Sequence, residues 1–178
     1  LPDGPERMTA LLNLIDQAKV SVRLLYYIYT ADRSGAAVRS ALERALARGV
    51  SVALLIDGFG SSDTHEHYFT KLSEDGAKFC RFNPSYGRRY LLRNHQKLAL
   101  ADGETDQPRI LIGGFNVEDS YFGDFSDKAW RDIGLLVEGP AALLAGRARE
   151  RGCRSGTDSI YLAWHCWSVS GVDIVPEA

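Results

Sequence analysis

Three side chains of different chemical character stand close together near the middle of the chain: His95, Lys97 and Asp102, in the run NHQKLALAD from Asn94 to Asp102. A neutral imidazole can act as a nucleophile and an ammonium is a point of fixed positive charge, so the pair suits chemistry on an anionic centre. Leu98 to Ala101 is an apolar run of strand length, which extends the expectation of a strand back towards His95. Two residues apart on a strand, His95 and Lys97 face the same way. Side by side, an imidazole and an ammonium disfavour each other's charged forms. The spacing therefore predicts an anion between them.

A second cluster follows in IGGFNVEDSYFG, residues 112 to 123. Gly113 and Gly114 at a strand end allow backbone N–H groups to approach a ligand closely. Asn116 offers an amide donor, and Glu118 and Asp119 supply carboxylates. Taken alone, the stretch reads equally as a tight turn with ordinary turn formers. Its place after the His-Lys stretch favours a ligand site. Between Ala77 and Ala101 the chain has no acidic residue, whereas Lys78, Arg81, Arg88, Arg89, Arg93 and Lys97 are basic. Such a cluster can focus an anion on the His-Lys pair, with Arg93 the arginine nearest it in sequence. A solvated basic loop accounts for the arginines about as well. His65 and His67 in THEHYF lack the further ligands a metal site needs, and a solvated helix start explains them better.

The elements that must position these groups alternate between helix and strand. Helical spacing runs from Pro5 to Lys19, from Ser34 to Arg48 and from Thr64 to Asp75, and Pro140 opens a last helix to about Arg149. Strands are read at Val20 to Tyr29, Val50 to Ile56, Ala77 to Phe82, in KLALA, in RILIGG and in WRDIGLLVEG. WRDIGLL and RILIGG look like strands of the sheet centre. The pattern predicts an α/β sandwich, helices packing on a mixed sheet.

At 178 residues the chain suits one domain with a sizeable core and needs no disulfide or metal staple. A net charge of −2 gives no general basic field of the kind a dedicated nucleic-acid binder carries. Cys80, Cys153 and Cys166 are odd in number and lack metal-ligand spacing, which fits free thiols in a reducing compartment. No segment approaches the ~20 apolar residues that span a bilayer, and no signal peptide is evident. The start at Leu1 fits a processed or truncated chain.

His95-Gln96-Lys97, four residues and Asp102, followed by Gly113-Gly114-Phe115-Asn116, resembles the signature of the phospholipase D superfamily. LLYYIYTADRSGAAVRSALERALARGVSVALLIDGFGS, GGFNVEDSYFG and WRDIGLLVEGPAA are similar to the amino-terminal catalytic half of bacterial cardiolipin synthases. The likeness spans roughly residues 5 to 145. Two features depart from the pattern. Ten residues separate Asp102 from Gly113, more than the family usually has, which reads as a lengthened hairpin around GETDQPR. The tail from Arg151 to Ala178 matches nothing in the family, so the chain divides into a catalytic half-domain over 1–150 and an unassigned tail over 151–178.

The resemblance implies a phospholipase D-like sandwich, a mixed central sheet flanked by helices, and a metal-free, cofactor-free phosphatidyl transfer. By that implication Lys97 and Asn116 bind phosphoryl oxygens and His95 attacks phosphorus to give a phosphohistidine. Asp119 takes the place of the carboxylate that holds the other imidazole nitrogen, and Asp102 organises the strand end and its turn. In-line displacement needs an acid on the far side of phosphorus. None of His65, His67 and His165 has a lysine two residues on, so a second half must come from a homodimer or a missing repeat. A phosphatidylglycerol-like lipid is the implied substrate, on a peripheral enzyme at the cytoplasmic face of the bacterial membrane. The same site with water as acceptor is a phospholipase D hydrolase, and with a nucleic-acid diester a nuclease, which the near-neutral charge disfavours. A half-domain that binds phosphodiesters or dimerises without turnover is the alternative of another class.

Overall fold

The computed structural model describes residues 1–82, 95–123 and 129–142. Asp3 starts α1 (Gly4–Asp16) by accepting the Glu6 N–H at 2.7 Å, with Pro5 in the first turn, where its missing N–H costs nothing. The helix ends at Asp16, short of the expected Lys19, because the next residues enter β1 (Ser21–Tyr26). Asp32 caps α2 (Arg33–Ala47) through the Gly35 N–H at 2.9 Å. Val38, Ala41, Leu42 and Ala45 form its buried stripe. After β2 (Ser51–Asp57), the helix expected from Thr64 is a 3-10 turn (Glu66–Phe69) followed by the short α3 (Thr70–Glu74). Then come β3 (Lys78–Phe82), β4 (Leu98–Ala101), β5 (Arg109–Gly113), a single helical turn α4 (Asp119–Phe122) and β6 (Gly134–Glu138).

The strands form one six-stranded mixed sheet in the order β3-β2-β1-β4-β5-β6. β1, β2 and β3 are parallel, and β4, β5 and β6 add antiparallel to β1 and to one another. The lengthened hairpin holds, since β4 and β5 pair from Leu98↔Ile112 to Ala101↔Arg109. Alternate residues of β1 divide the core. Val22, Leu24 and Tyr26 pack with Leu11, Ile15, Val38 and Leu42 of the helices. Leu25 joins Leu55, Phe82 and Leu98 on the other face.

The strand of the His-Lys stretch begins only at Leu98, so His95 and Lys97 lie in the segment leading into it. Among the described residues β6 closes the sheet at one edge, where a central strand was expected, and it begins at Gly134. Trp130 to Ile133 stay outside the ladder, leaving Trp130 and Ile133 exposed. The helix expected after Pro140 lies outside the described residues beyond its first turn, as does the tail from Arg151.

The strand directions define one functional edge. β1, β2, β3 and β5 all run towards it and end at Tyr26, Asp57, Phe82 and Gly113, while β4 and β6 start from it. Six segments that are distant in sequence thereby bring their ends together.

Candidate active site

Asp102 lies at the opposite end of β4 from His95. Its carboxylate accepts backbone N–H groups of Lys19 at 3.0 Å, Val20 at 2.7 Å and Ser21 at 3.2 Å. Its own N–H donates to the Ser21 carbonyl at 2.8 Å, and the Arg109 guanidinium stands 3.8 Å away. The residue adopts φ 56°, a left-handed conformation that aspartate tolerates better than most side chains. Asp102 ties the start of β1 to the end of β4.

At the functional edge His95 is exposed and Lys97 is buried. The Lys97 ammonium folds back to donate to the His95 carbonyl at 2.7 Å and reaches the imidazole Nδ1 at 3.1 Å. The Tyr27 ring, just beyond β1, lies 4.6 Å from the imidazole, tilted by 49°, and 5.2 Å from the ammonium. Loss of water around the imidazole, then the Lys97 charge, hold the His95 pKa below its ordinary 6.5; the Asp57 carboxylate opposes them. His95 is therefore neutral at pH 7. An ammonium that donates to Nδ1 assigns the imidazole proton to Nε2.

The Gly-Gly-Phe-Asn segment follows β5 at the same edge. Asn116 is buried and its Oδ1 accepts the Ile28 N–H at 3.0 Å, while Val117 bridges to Tyr29. These bonds stitch the segment to the chain that leaves β1, beside Tyr27. A side chain at Gly113 would collide with the Phe115 ring, and a Cβ at Gly114 would meet the Asp132 carboxylate at 2.6 and 2.7 Å. Close approach, more than a special backbone angle, explains both glycines.

Asp119 does not hold the imidazole. Its Oδ1 accepts both the Ser34 N–H at 2.8 Å and the Ser34 hydroxyl at 2.6 Å, and its N–H donates to Asp32 at 2.7 Å. It belongs to the start of α2, where free N–H groups attract a carboxylate. Arg81 departs from the basic-cluster reading in a similar way. Its guanidinium turns inward to the carbonyls of Ser61 at 3.0 Å and Thr64 at 2.6 Å, and burial lowers its pKa. Arg88, Arg89 and Arg93 lie outside the described residues. His65 and His67 stack on each other with ring centroids 5.6 Å apart. No group of three or more His, Cys, Asp or Glu suited to a metal occurs among the described residues.

Three groups at this edge escape a linear reading. Tyr27 reads as one more aromatic of a buried strand. Asp57 reads as a turn former in DGFGSS, yet its carboxylate is buried, accepts the N–H groups of Phe59 at 2.9 Å and Gly60 at 3.0 Å, and its charge acts on His95. Asp132 reads as part of a strand, yet it sits before β6 and against Gly114. Only the strand order places them together.

A six-stranded mixed sheet that brings a His-x-Lys stretch and a Gly-Gly-x-Asn turn to one edge, with an aspartate anchoring the far end of β4, defines a phospholipase D-like domain. Residues 11–144 match the family model described as cardiolipin synthase, PLD-like domain. The chain is 38% identical over 145 residues to cardiolipin synthase of Listeria welshimeri, a match spanning 78% of this chain and 29% of that protein. Cardiolipin synthase 1 of Bacillus anthracis is 36% identical over 146 residues, covering 79% and 28%. Among solved structures, the phospholipase D family member Nuc from Salmonella typhimurium superposes with TM-score 0.56 at 20% identity, over 81% of this chain and 84% of that one. Phosphatidylserine synthase from Haemophilus influenzae gives 0.64 at 18%, over 86% and 35%. The chain belongs to the family of cardiolipin synthase, phospholipase D-like domains. It spans less than a third of the length of the cardiolipin synthases it matches.

Proposed function

We propose that the chain is a catalytic half of a phosphatidyltransferase of the cardiolipin synthase type. The observation that carries this reading is the neutral His95 beside a buried ammonium and the Gly-Gly-Phe-Asn turn, at one sheet edge of a chain in this family. His95 Nε2 attacks the phosphorus of a phosphatidylglycerol-like lipid. A phosphorus–nitrogen bond forms, the bond to the glycerol oxygen breaks, and the glycerol leaves after taking a proton from an acid on the far side. The hydroxyl of a second phosphatidylglycerol then attacks, gives its proton to that same group and releases His95. The chain itself holds Lys97, Asn116 and the backbone at Gly113 and Gly114 for the phosphoryl charge, a task that divalent ions perform in other phosphoryl-transfer sites.

The His95–Lys97 contact adds an ordering step. Attack through Nε2 requires the proton on Nδ1, so Lys97 has to leave Nδ1 before the nucleophile is free. A phosphoryl oxygen competes well for that ammonium, because a charge-assisted bond to an anion is stronger than one to a neutral ring nitrogen. Substrate binding thereby readies its own nucleophile. The far-side acid comes from a second His-Lys half, supplied by another copy or by further chain.

A place at a lipid surface fits the same edge. Phe59 after β2 and Trp130 and Ile133 before β6 expose apolar side chains there, and no described helix is long and apolar enough to cross a membrane. We place the domain peripherally on the cytoplasmic face. The nuclease alternative loses support from Arg81, whose charge is directed inward. The test is incubation with phosphatidylglycerol vesicles, and separately phosphatidylcholine vesicles, with products read by mass. Cardiolipin supports transfer to an alcohol, phosphatidic acid alone shows a hydrolase, and no product from either favours a binding half-domain.

A further inference from the structure

We propose that Tyr27 is a positioning residue of this site, its ring forming the wall against which the His95 imidazole and the Lys97 ammonium rest. The inference rests on the phosphatidyl-transfer reading, in which those two groups do the chemistry. Tyr27 follows the last residue of β1 and reaches both partners, at 4.6 Å to the imidazole centroid and 5.2 Å to the ammonium nitrogen. An ammonium within about 6 Å of an aromatic face is attracted by the ring quadrupole, which steadies the buried Lys97 ammonium against the ring. The same ring covers one side of the imidazole from water.

The ring is itself held from behind. Ser61 donates its hydroxyl to the Tyr27 carbonyl at 3.1 Å and accepts the Tyr29 N–H at 3.0 Å. Gly60 lies so close that a Cβ there would stand 2.9 Å from the Tyr27 ring atom Cε2 and would collide with the Tyr27 carbonyl. The turn after β2 thus presses on Tyr27, and Tyr27 presses on His95. Among the described residues the phenol oxygen has no hydrogen-bond partner, so the ring rather than the hydroxyl carries the contact.

Among the described residues, the charged groups that act on His95 are Lys97 on the segment entering β4 and Asp57 at the end of β2, with Tyr27 uncharged between the strands. Replacing the ring leaves both charges in place and opens one side of the imidazole to water. The experiment is an NMR titration of the imidazoles of the full 178-residue chain, with His95→Gln assigning the His95 signal, alongside phosphatidylglycerol turnover in vesicles. Tyr27→Leu should move the His95 midpoint up towards an ordinary histidine and lower kcat about tenfold with KM little changed, while Tyr27→Phe matches the wild type in both. An unmoved titration in Tyr27→Leu overturns the proposal, and so does a Tyr27→Phe variant as impaired as Tyr27→Leu. If Tyr27→Leu does not fold, Tyr27→Met takes its place with the same two outcomes. A titration that moves in a chain whose wild type transfers no phosphatidyl group supports the positioning role and sinks the transfer reading instead.

Discussion

His95 and Lys97 illustrate how a site is read from two residues and then revised by their neighbours. Replacing His95 by Ala removes the proposed nucleophile without opening a core cavity, since the side chain is exposed. Turnover should vanish while circular dichroism and thermal melting stay unchanged. Lys97→Ala and Asn116→Ala should each lower kcat by about 10² to 10³, the usual cost of losing one charge-stabilising donor. Asn116→Ala also orphans the Ile28 N–H, so its melting temperature should fall as well, and Asn116→Asp should restore stability but not rate. The depressed His95 pKa puts the acidic limb of kcat/KM below 6.5. In the folded chain protonation of His95 is resisted, so its contribution to stability is complete above 6.5 and declines as pH falls. The His-x-Lys and Gly-Gly-x-Asn residues were legible because their chemistry is local in sequence. Tyr27, Asp57 and Asp132 were not, because each is an ordinary residue until the sheet brings it to the edge.

Asp102 and Asp119 both act at the level of the elements. Asp102→Ala frees three backbone N–H groups at the start of β1 and places a residue without a compensating side chain at φ 56°, for a loss of about 2–4 kcal/mol in chemical denaturation. Asp119 has a different signature. Burial alone would raise its pKa, but the Ser34 hydroxyl and N–H outweigh that, aided by Arg33, and hold it below the ordinary 3.8. Its stabilisation is fully present above 3.8 and is lost as pH falls through the lower folded value, so Asp119→Ala should flatten the acid end of the stability profile. A profile that keeps its slope would show that the Ser34 contact contributes nothing. The helices and most strands were legible because caps such as Asp32 and the stripe Val38, Ala41, Leu42, Ala45 are periodic signals. β6 was misplaced because Trp130 and Ile133 have strand-like chemistry but no partner strand among the described residues, and the role of Asp119 because a helix start elsewhere in the chain competes for it.

Across the whole molecule, one functional edge carries one His-Lys pair, and in-line displacement needs groups on both sides of phosphorus. Wild-type chains titrated with His95→Ala chains should therefore lose activity faster than linearly where two copies share a cleft. A linear loss in a monomer that still turns over lipid would show that one motif suffices. Turnover should also survive a chelator, and activity removed by chelation and restored by one particular metal would contradict the charge-neutralising roles of Lys97 and Asn116. The central claim is that His95 carries the phosphatidyl group, and its most direct test is a mass spectrum of the chain mixed with phosphatidylglycerol vesicles and quenched at alkaline pH. The account predicts a phosphatidyl adduct on the peptide containing His95, absent from His95→Ala. Cardiolipin formed without any adduct, at an undiminished rate in His95→Ala, would contradict it.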